Sequence, residues 1–365
     1  APYDAFKRGY EQIKVKASEP FQPTPILRAL FAPYYLWIRT IFLSFTTTSP
    51  NLKVDFQRIP NMPVSIPDEL NKVLSFESLF GVSGLVAVVT GGGTGIGLMC
   101  TEALASHGAK VYITGRRLEA LHRVVDKYQP HAKGKIIAIQ GDITSKADLE
   151  RIAQEIGQKE PSGIQILINN AGILGTGTNC SDKEKSVEEF CGEALRNESF
   201  DIWDSVWRTN VSGIYFTTIN FLPLLQRGSN NQRGYRSGVI NITSISGFIK
   251  ISQSHFGYNA SKAAAIHLTK MMGTELGRFN VRFNSIAPGF FPSEMTSGDK
   301  SNELGKSDIS QTFDAAAHKV PADRAGNLEE MAATVLYLCG KGGQYCDGLV
   351  MHVDGGILLT NPATI

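Results

Sequence analysis

The run Leu85-Val86-Ala87-Val88-Val89-Thr90 opens directly onto Gly91-Gly92-Gly93-Thr94-Gly95-Ile96-Gly97 and then onto a helical stretch through Leu98, Leu104 and Ala105. A continuous apolar run is a strand covered on both faces, and in an open sheet that requires helices above and below it. The pattern then repeats. Strands are expected at Val111–Thr114, Ile136–Ile139, Ile164–Ile168, a run ending at Ser244, Val281–Ile286 and Gly348–Val353, with helices at Leu118–Tyr128, Ala147–Ile156 and about Ile202–Leu225. Strands alternating with helices at this spacing predict an α/β fold with a doubly wound parallel sheet, a Rossmann fold, over residues 75–365.

The glycine turn indicates what such a sheet would hold. Between a strand and a helix, a turn without Cβ atoms lets backbone N–H groups and the helix N-terminus approach a diphosphate. Gly91, Gly93, Thr94, Gly95, Ile96 and Gly97 are therefore candidate cofactor-binding residues. The second strand ends in Gly115-Arg116-Arg117 with no acid. A carboxylate there would take a ribose 2′-OH and a guanidinium a 2′-phosphate, so Arg116 and Arg117 favour NADP(H), unless both are simply solvated.

A second pattern lies at Tyr258-Asn259-Ala260-Ser261-Lys262, followed by an alanine-rich run. The spacing puts Tyr258 and Lys262 one helical turn apart on one face. An ammonium within about 4–6 Å favours an ionised phenol, so the pair makes a proton donor and acceptor. Upstream, Ser244 and Ser246 offer hydroxyls at the carboxyl end of a strand, where open α/β sheets bind ligands.

In this order, Thr90-Gly91-x-x-x-Gly95-x-Gly97, Asn169-Asn170-Ala171-Gly172, Asn210, Ser244, Tyr258-x-x-x-Lys262 and Pro288-Gly289 resemble the short-chain dehydrogenase/reductase family over roughly residues 75–358. The resemblance implies that Tyr258 exchanges a proton with the substrate oxygen and that Ser244 holds that oxygen. Lys262 would hold the nicotinamide ribose and lower the phenol pKa, and Asn210 would orient a water. It also implies that Asp142 and Ile143 meet the adenine, that Asn169, Ala171 and Gly172 line the adenosine ribose, and that Pro288, Gly289, Phe291 and Ser293 position the nicotinamide. Ser293 stands where Thr is commoner in the family, a departure that keeps the hydroxyl.

Ala287 to Thr296 is similar to 3-oxoacyl reductases of the rhamnolipid-biosynthesis type, and Phe248, Ile249, Phe256, Phe290 and Phe291 are candidates for an apolar substrate pocket. The polar stretch from Pro292 to about Lys319 is expected to be a mobile lid. Many relatives are dimers or tetramers through the helices corresponding to residues 202–225 and 258–277, which implies a homo-oligomer.

A net charge of +2 indicates no nucleic-acid partner. The five cysteines show no C-x-x-C pair and no ligand spacing with histidine, so no metal is expected and the thiols read as reduced, in a cytoplasmic protein. Residues 1–74 stand apart as an N-terminal extension with many prolines. Its first sixty residues carry eight Lys/Arg against four Asp/Glu. The aromatic patch at residues 26–45 is interrupted by Arg28, Pro33 and Arg39, which argues against a transmembrane span. It fits an arm packed on this domain or a partner, a peripheral membrane segment, or, since the sequence starts at Ala1, the remnant of a mitochondrial or other targeting sequence. Two classes of function follow: an NADP(H)-dependent oxidoreductase acting on a ketone or secondary alcohol, or a reductase-like subunit with a structural nucleotide site, anchored by residues 1–74.

Overall fold

The computed structural model describes residues 68–298, 301–310 and 313–363. The chain divides into two units, residues 1–65 and 66–365, of which the second is described. The aromatic patch at 26–45, and with it the role expected of the extension, lies outside the described residues.

Seven parallel strands form one sheet: β1 (Val86–Thr90), β2 (Lys110–Gly115), β3 (Lys135–Gln140), β4 (Ile166–Asn169), β5 (Ser237–Ile242), β6 (Val281–Pro288) and β7 (Val350–Val353). Their order is β3-β2-β1-β4-β5-β6-β7. The chain therefore reverses its direction of travel between β1 and β4, and the crevice at their carboxyl ends is where a doubly wound sheet takes a ligand.

Two short helices, α1 (Asp68–Val73) and α2 (Phe76–Phe80), precede the sheet. The period-two alternation of the strands sorts their side chains between two layers. Ala87 and Val89 of β1 face a core with Leu98 and Leu104 of α3 (Gly95–Ser106), Leu121 and Val124 of α4 (Leu118–Tyr128), and distal Met331 and Val335. Val86 and Val88 face the other core, with Ile152 and Ile156 of α5 (Lys146–Lys159).

Between β4 and β5 the sequence and the structure differ in two places. The segment 176–199, whose composition reads as polar loop, contains α6 (Val187–Asn197), started by a reciprocal Ser186/Glu189 capping box. Its apolar residues Val187, Phe190, Cys191, Ala194 and Leu195 fall at helical spacing, but the stripe is short and none of it is buried. The long helix expected over 202–225 is α7 (Phe200–Trp207), a π-helical turn at Arg208–Ser212, and α8 (Gly213–Asn231). The extra residue per turn falls at Asn210, and such bulges recur at functional sites.

The remaining helices are α9 (Phe256–Leu276), α10 (Glu294–Ser297), α11 (Leu328–Cys339) and α12 (Ile357–Thr360). Beneath the sheet's far end the fully buried Arg282 of β6 donates to the carbonyls of Arg236, Leu338, Gly343 and Cys346 at 2.9–3.3 Å. That guanidinium joins the start of β5, the end of α11 and the turn before β7.

Candidate active site

A cleft of about 760 Å³ opens at the carboxyl ends of β1, β2 and β4. Gly91 and Gly95 have φ of +65° and +53°, a left-handed backbone that favours glycine. A Cβ on Gly97 would lie 2.1 Å from the Gly91 carbonyl oxygen, so Gly97 packs beneath the turn while Gly91, Gly93, Thr94, Gly95 and Ile96 line the cleft. Thr94 precedes α3 without a side-chain capping bond, which leaves the first N–H groups of the helix for an anion. These features fit a dinucleotide diphosphate.

At the sides of the cleft lie Arg116, Arg117, Asp142, Ile143, Ala171, Gly172 and Ser293, all expected from the sequence. Asp142 Oδ1 accepts from the Thr144 N–H and hydroxyl, which fixes the carboxylate. The two arginines differ. Arg117 forms a bidentate pair with Glu294 at 2.7 and 3.2 Å, whereas Arg116 makes no ion pair among the described residues. Burial raises the Glu294 pKa, but Arg117 and Ser301 outweigh it and hold the carboxyl at about 2.

Besides Gly97, four residues expected at the cofactor are not on the cleft wall. Asn169, inside β4, points into the sheet and donates to Thr218 Oγ1 (3.0 Å) and Asn241 Oδ1 (2.8 Å). The next residue, Asn170, lines the cleft and donates to the carbonyls of Thr90 and Gly91. Pro288 ends a fully buried β6, and Gly289 packs so closely on Asp354 that a Cβ would sit 2.8 Å from its Cα. Phe291 is buried in the core over Gly326. Sequence reasoning also missed Ile173, Thr209, Thr243, Glu294 and Met295 on the cleft wall.

The tyrosine–lysine pair is assembled at the inner end. Tyr258 and Lys262, on the first turns of α9, both face the cleft. The Lys262 Nζ donates to the Ile242 carbonyl at 2.9 Å and lies 5.6 Å from the centre of the Tyr258 ring. Burial lowers its pKa to about 8. Burial raises that of Tyr258 to about 12, against a smaller lowering by a hydrogen bond with Ser244. The expected depression of the phenol pKa is thus reversed in the protein alone, because desolvation exceeds what its neighbours supply.

β5 ends at Ile242, two residues before Ser244. Ser244 Oγ accepts from the Ser246 N–H at 3.1 Å, and the Ser246 hydroxyl is taken by Gln253 Oε1 at 3.0 Å. The two serines are thus separated: Ser244 is the hydroxyl that acts on the Tyr258 phenol, lowering its pKa, and Ser246 supports the loop. Asn210 is buried; its Oδ1 accepts from Ile173 N–H and its Nδ2 donates to Ile173 O and Ser261 Oγ.

The aromatic pocket expected from the sequence does not form as one cavity. Phe248 packs edge-on to His352, Ile249 joins Val320, Ile357 and Leu358 in a C-terminal core, and Phe290 packs at a tilt against Phe313 and His318. Phe256 is exposed on α9.

The family model described as short chain dehydrogenase matches residues 85–304. The chain belongs to this family. The short-chain dehydrogenase is 42% identical over 288 residues to the short-chain dehydrogenase/reductase PhomF of Diaporthe leptostromiformis, covering 78% of this chain and 95% of that protein. It is 34% identical to the rhamnolipids biosynthesis 3-oxoacyl-[acyl-carrier-protein] reductase of Pseudomonas aeruginosa, covering 77% and 98%. Its fold matches the Pseudomonas aeruginosa RhlG/NADP active-site complex with a TM-score of 0.64 at 32% identity, covering 77% of this chain and 98% of that one. The dehydrogenase is accordingly an oxidoreductase of the nicotinamide-dependent kind. Among its described residues no His, Cys, Asp or Glu cluster is arranged to hold a metal, and no helix is long and apolar enough to cross a membrane.

Proposed function

We propose that the protein is an NADP(H)-dependent reductase of a ketone, with a 3-oxoacyl or other apolar carbonyl compound as substrate. The observation that carries this reading is that Tyr258 and Lys262, with the Lys262 Nζ 5.6 Å from the Tyr258 ring centre, together line the inner end of a dinucleotide-sized cleft.

The cofactor, when bound, supplies a hydride to the carbonyl carbon. Gly91, Thr94, Gly95 and Ile96 would hold its diphosphate, Arg116 its 2′-phosphate, and Asp142 and Ile143 its adenine. As the carbon–oxygen π pair moves onto oxygen, that oxygen takes the proton of Tyr258, forming the alcohol and a phenolate. A pKa of about 12 keeps Tyr258 protonated at working pH, so it is loaded as the acid of the reductive direction. Ser244 donates to the developing oxyanion. Lys262, with one N–H on Ile242, keeps two more to face the phenolate. Asn210 positions Ile173 and the helix turn at Ser261 around this centre, from where it would orient a water. The 3-oxoacyl choice is supported by the similarity to the Pseudomonas 3-oxoacyl-[acyl-carrier-protein] reductase. A homo-oligomer, dimer or tetramer, is supported by exposed Tyr215 on α8 and Phe256 and Met271 on α9.

Arg116→Ala is expected to weaken NADPH binding about tenfold or more while leaving NADH unchanged, since a charge-assisted bond to phosphate is worth roughly 1.5–3 kcal/mol. Titration of both cofactors by nicotinamide fluorescence checks it; an equal loss for both would remove Arg116 from phosphate recognition.

Lys262 has its folded pKa, about 8, below the ordinary 10.5. Between these values the unfolded chain binds more protons, so this residue makes stability rise with pH across that window. Tyr258 acts oppositely from about pH 10 to 12. Urea melts at pH 7.5 and 9.5 are expected to show a gain in the wild type that is smaller in Lys262→Met; identical gains would show the ammonium to be solvated.

A further inference from the structure

The inference rests on the NADP(H) reading above and concerns the carboxylate opposite the arginines. Arg117 stands at the end of β2, and Glu294 begins α10, in the segment that follows β6. The two reach each other across the rim of the cofactor cleft and both line it. Glu294 Oε1 also accepts from the N–H (3.1 Å) and hydroxyl (2.8 Å) of Ser301. Of the two guanidinium groups that the sequence offers a 2′-phosphate, one is therefore already neutralised, by an acid carried on a different element.

Further fasteners hold the same segment farther from the cleft. Arg123 and Tyr128 of α4 donate to the carbonyls of Asn302 and Leu304, and Lys306 pairs with Glu102 of α3. None of these residues lines the cleft. The Arg117–Glu294 pair is the fastener a cofactor would meet.

A guanidinium presents the same two-pronged donor to a carboxylate and to a phosphate. A phosphate monoester brings three oxygens and close to two negative charges, against two oxygens and one charge for a carboxylate. A nucleotide phosphorylated at the 2′ position and arriving at the end of β2 thus competes for Arg117, whereas one lacking that group does not.

We propose that Glu294 occupies on Arg117 the place that the 2′-phosphate of NADP(H) takes, so that NADP(H), and not NAD(H), unfastens α10 from the end of β2. Glu294 is then a specificity-determining residue. It lowers the advantage that Arg117 alone would give the phosphorylated cofactor, and it converts recognition of that phosphate into release of Ser293 and Met295 at the cleft rim. The remaining fasteners confine the release to the first turn of the segment.

The test uses the full chain with 2′,5′-ADP and 5′-AMP as probes, titrated by calorimetry into wild type, Glu294→Gln and Arg116→Ala. Glutamine keeps acceptor contacts to Ser301 and removes the charge. Glu294→Gln is expected to bind 2′,5′-ADP about threefold tighter, the scale of a half-exposed ion pair, with 5′-AMP unchanged. In wild type, amide exchange over residues 294–301 is expected to speed up with 2′,5′-ADP and not with 5′-AMP, a readout that depends on no variant. Unchanged or weaker binding of 2′,5′-ADP to Glu294→Gln, or exchange that responds alike to both probes, overturns the proposal. Should wild type prefer 2′,5′-ADP and Arg116→Ala lose that preference while Glu294→Gln behaves as wild type, the latch alone fails. Equal affinity of wild type for both probes overturns the NADP(H) reading and the latch together.

Discussion

Tyr258→Phe is expected to lower kcat for carbonyl reduction by about 10²–10⁴-fold, the range of a lost general acid, with NADPH affinity and melting temperature unchanged. The substitution removes one hydroxyl, on which Ser244 acts, and leaves the ring where it packs. Steady-state kinetics together with a fluorescence titration of NADPH separate the two effects. Among the described residues, the two nearest candidates to replace the acid are otherwise engaged: Lys262 donates to the Ile242 carbonyl and Ser246 to Gln253. A variant that retained most of its rate would move proton transfer to another group and undo the assignment of this centre.

Arg282→Leu is expected to be the most destabilising substitution at a distance from the cleft, by roughly 3 kcal/mol or more. The guanidinium is buried with 1% exposure and its bonds go to four backbone carbonyls, with no carboxylate among them. Leucine leaves the Arg236, Leu338 and Gly343 carbonyls without that partner in a dry interior, and each orphaned acceptor costs about 1–3 kcal/mol, in part relieved by relaxation. Chemical denaturation reads the loss. A change below about 0.5 kcal/mol, the size of an ordinary surface substitution, would show that water reaches those carbonyls.

The framework of this protein is legible in its sequence because strand and helix signals there are physical and local. The β1 run is buried along its whole length, and the left-handed glycines stand where the turn needs them. Tyr258 and Lys262 meet because one helical turn separates them, a distance the backbone fixes without help from the rest of the fold.

What the sequence hides depends on tertiary context. Asn169 and Asn170 are adjacent and identical, yet β4 ends between them, so one side chain enters the sheet and the next enters the cleft. The phenylalanines Phe248, Phe290 and Phe291 read as a substrate pocket by composition, whereas Phe248 and Phe290 pack on the C-terminal core and Phe291 is buried in the core on the Ala87 and Val89 face of the sheet. Arg117 reads as a phosphate ligand until Glu294, far along the chain, is found in contact with it. The region after Pro292 reads as a free lid, while the structure fastens its described residues to α3 and α4 through contacts between elements that no local pattern records. Burial, which raises the Tyr258 pKa, is likewise a property of the whole fold, whereas a neighbouring ammonium can be inferred from spacing.

The most direct test of the central claim follows the hydride itself. Wild-type protein is incubated with NADPH carrying deuterium at both C4 positions of the nicotinamide and a 3-oxoacyl thioester, and the alcohol is analysed by mass spectrometry, with Tyr258→Phe alongside. The account predicts one deuterium on the carbinol carbon of the wild-type product and almost no product from the variant. Tight NADPH binding with no deuterated alcohol from this thioester or from a panel of simple ketones, quinones and sugars would contradict it and leave the nucleotide site as a structural feature of a larger assembly.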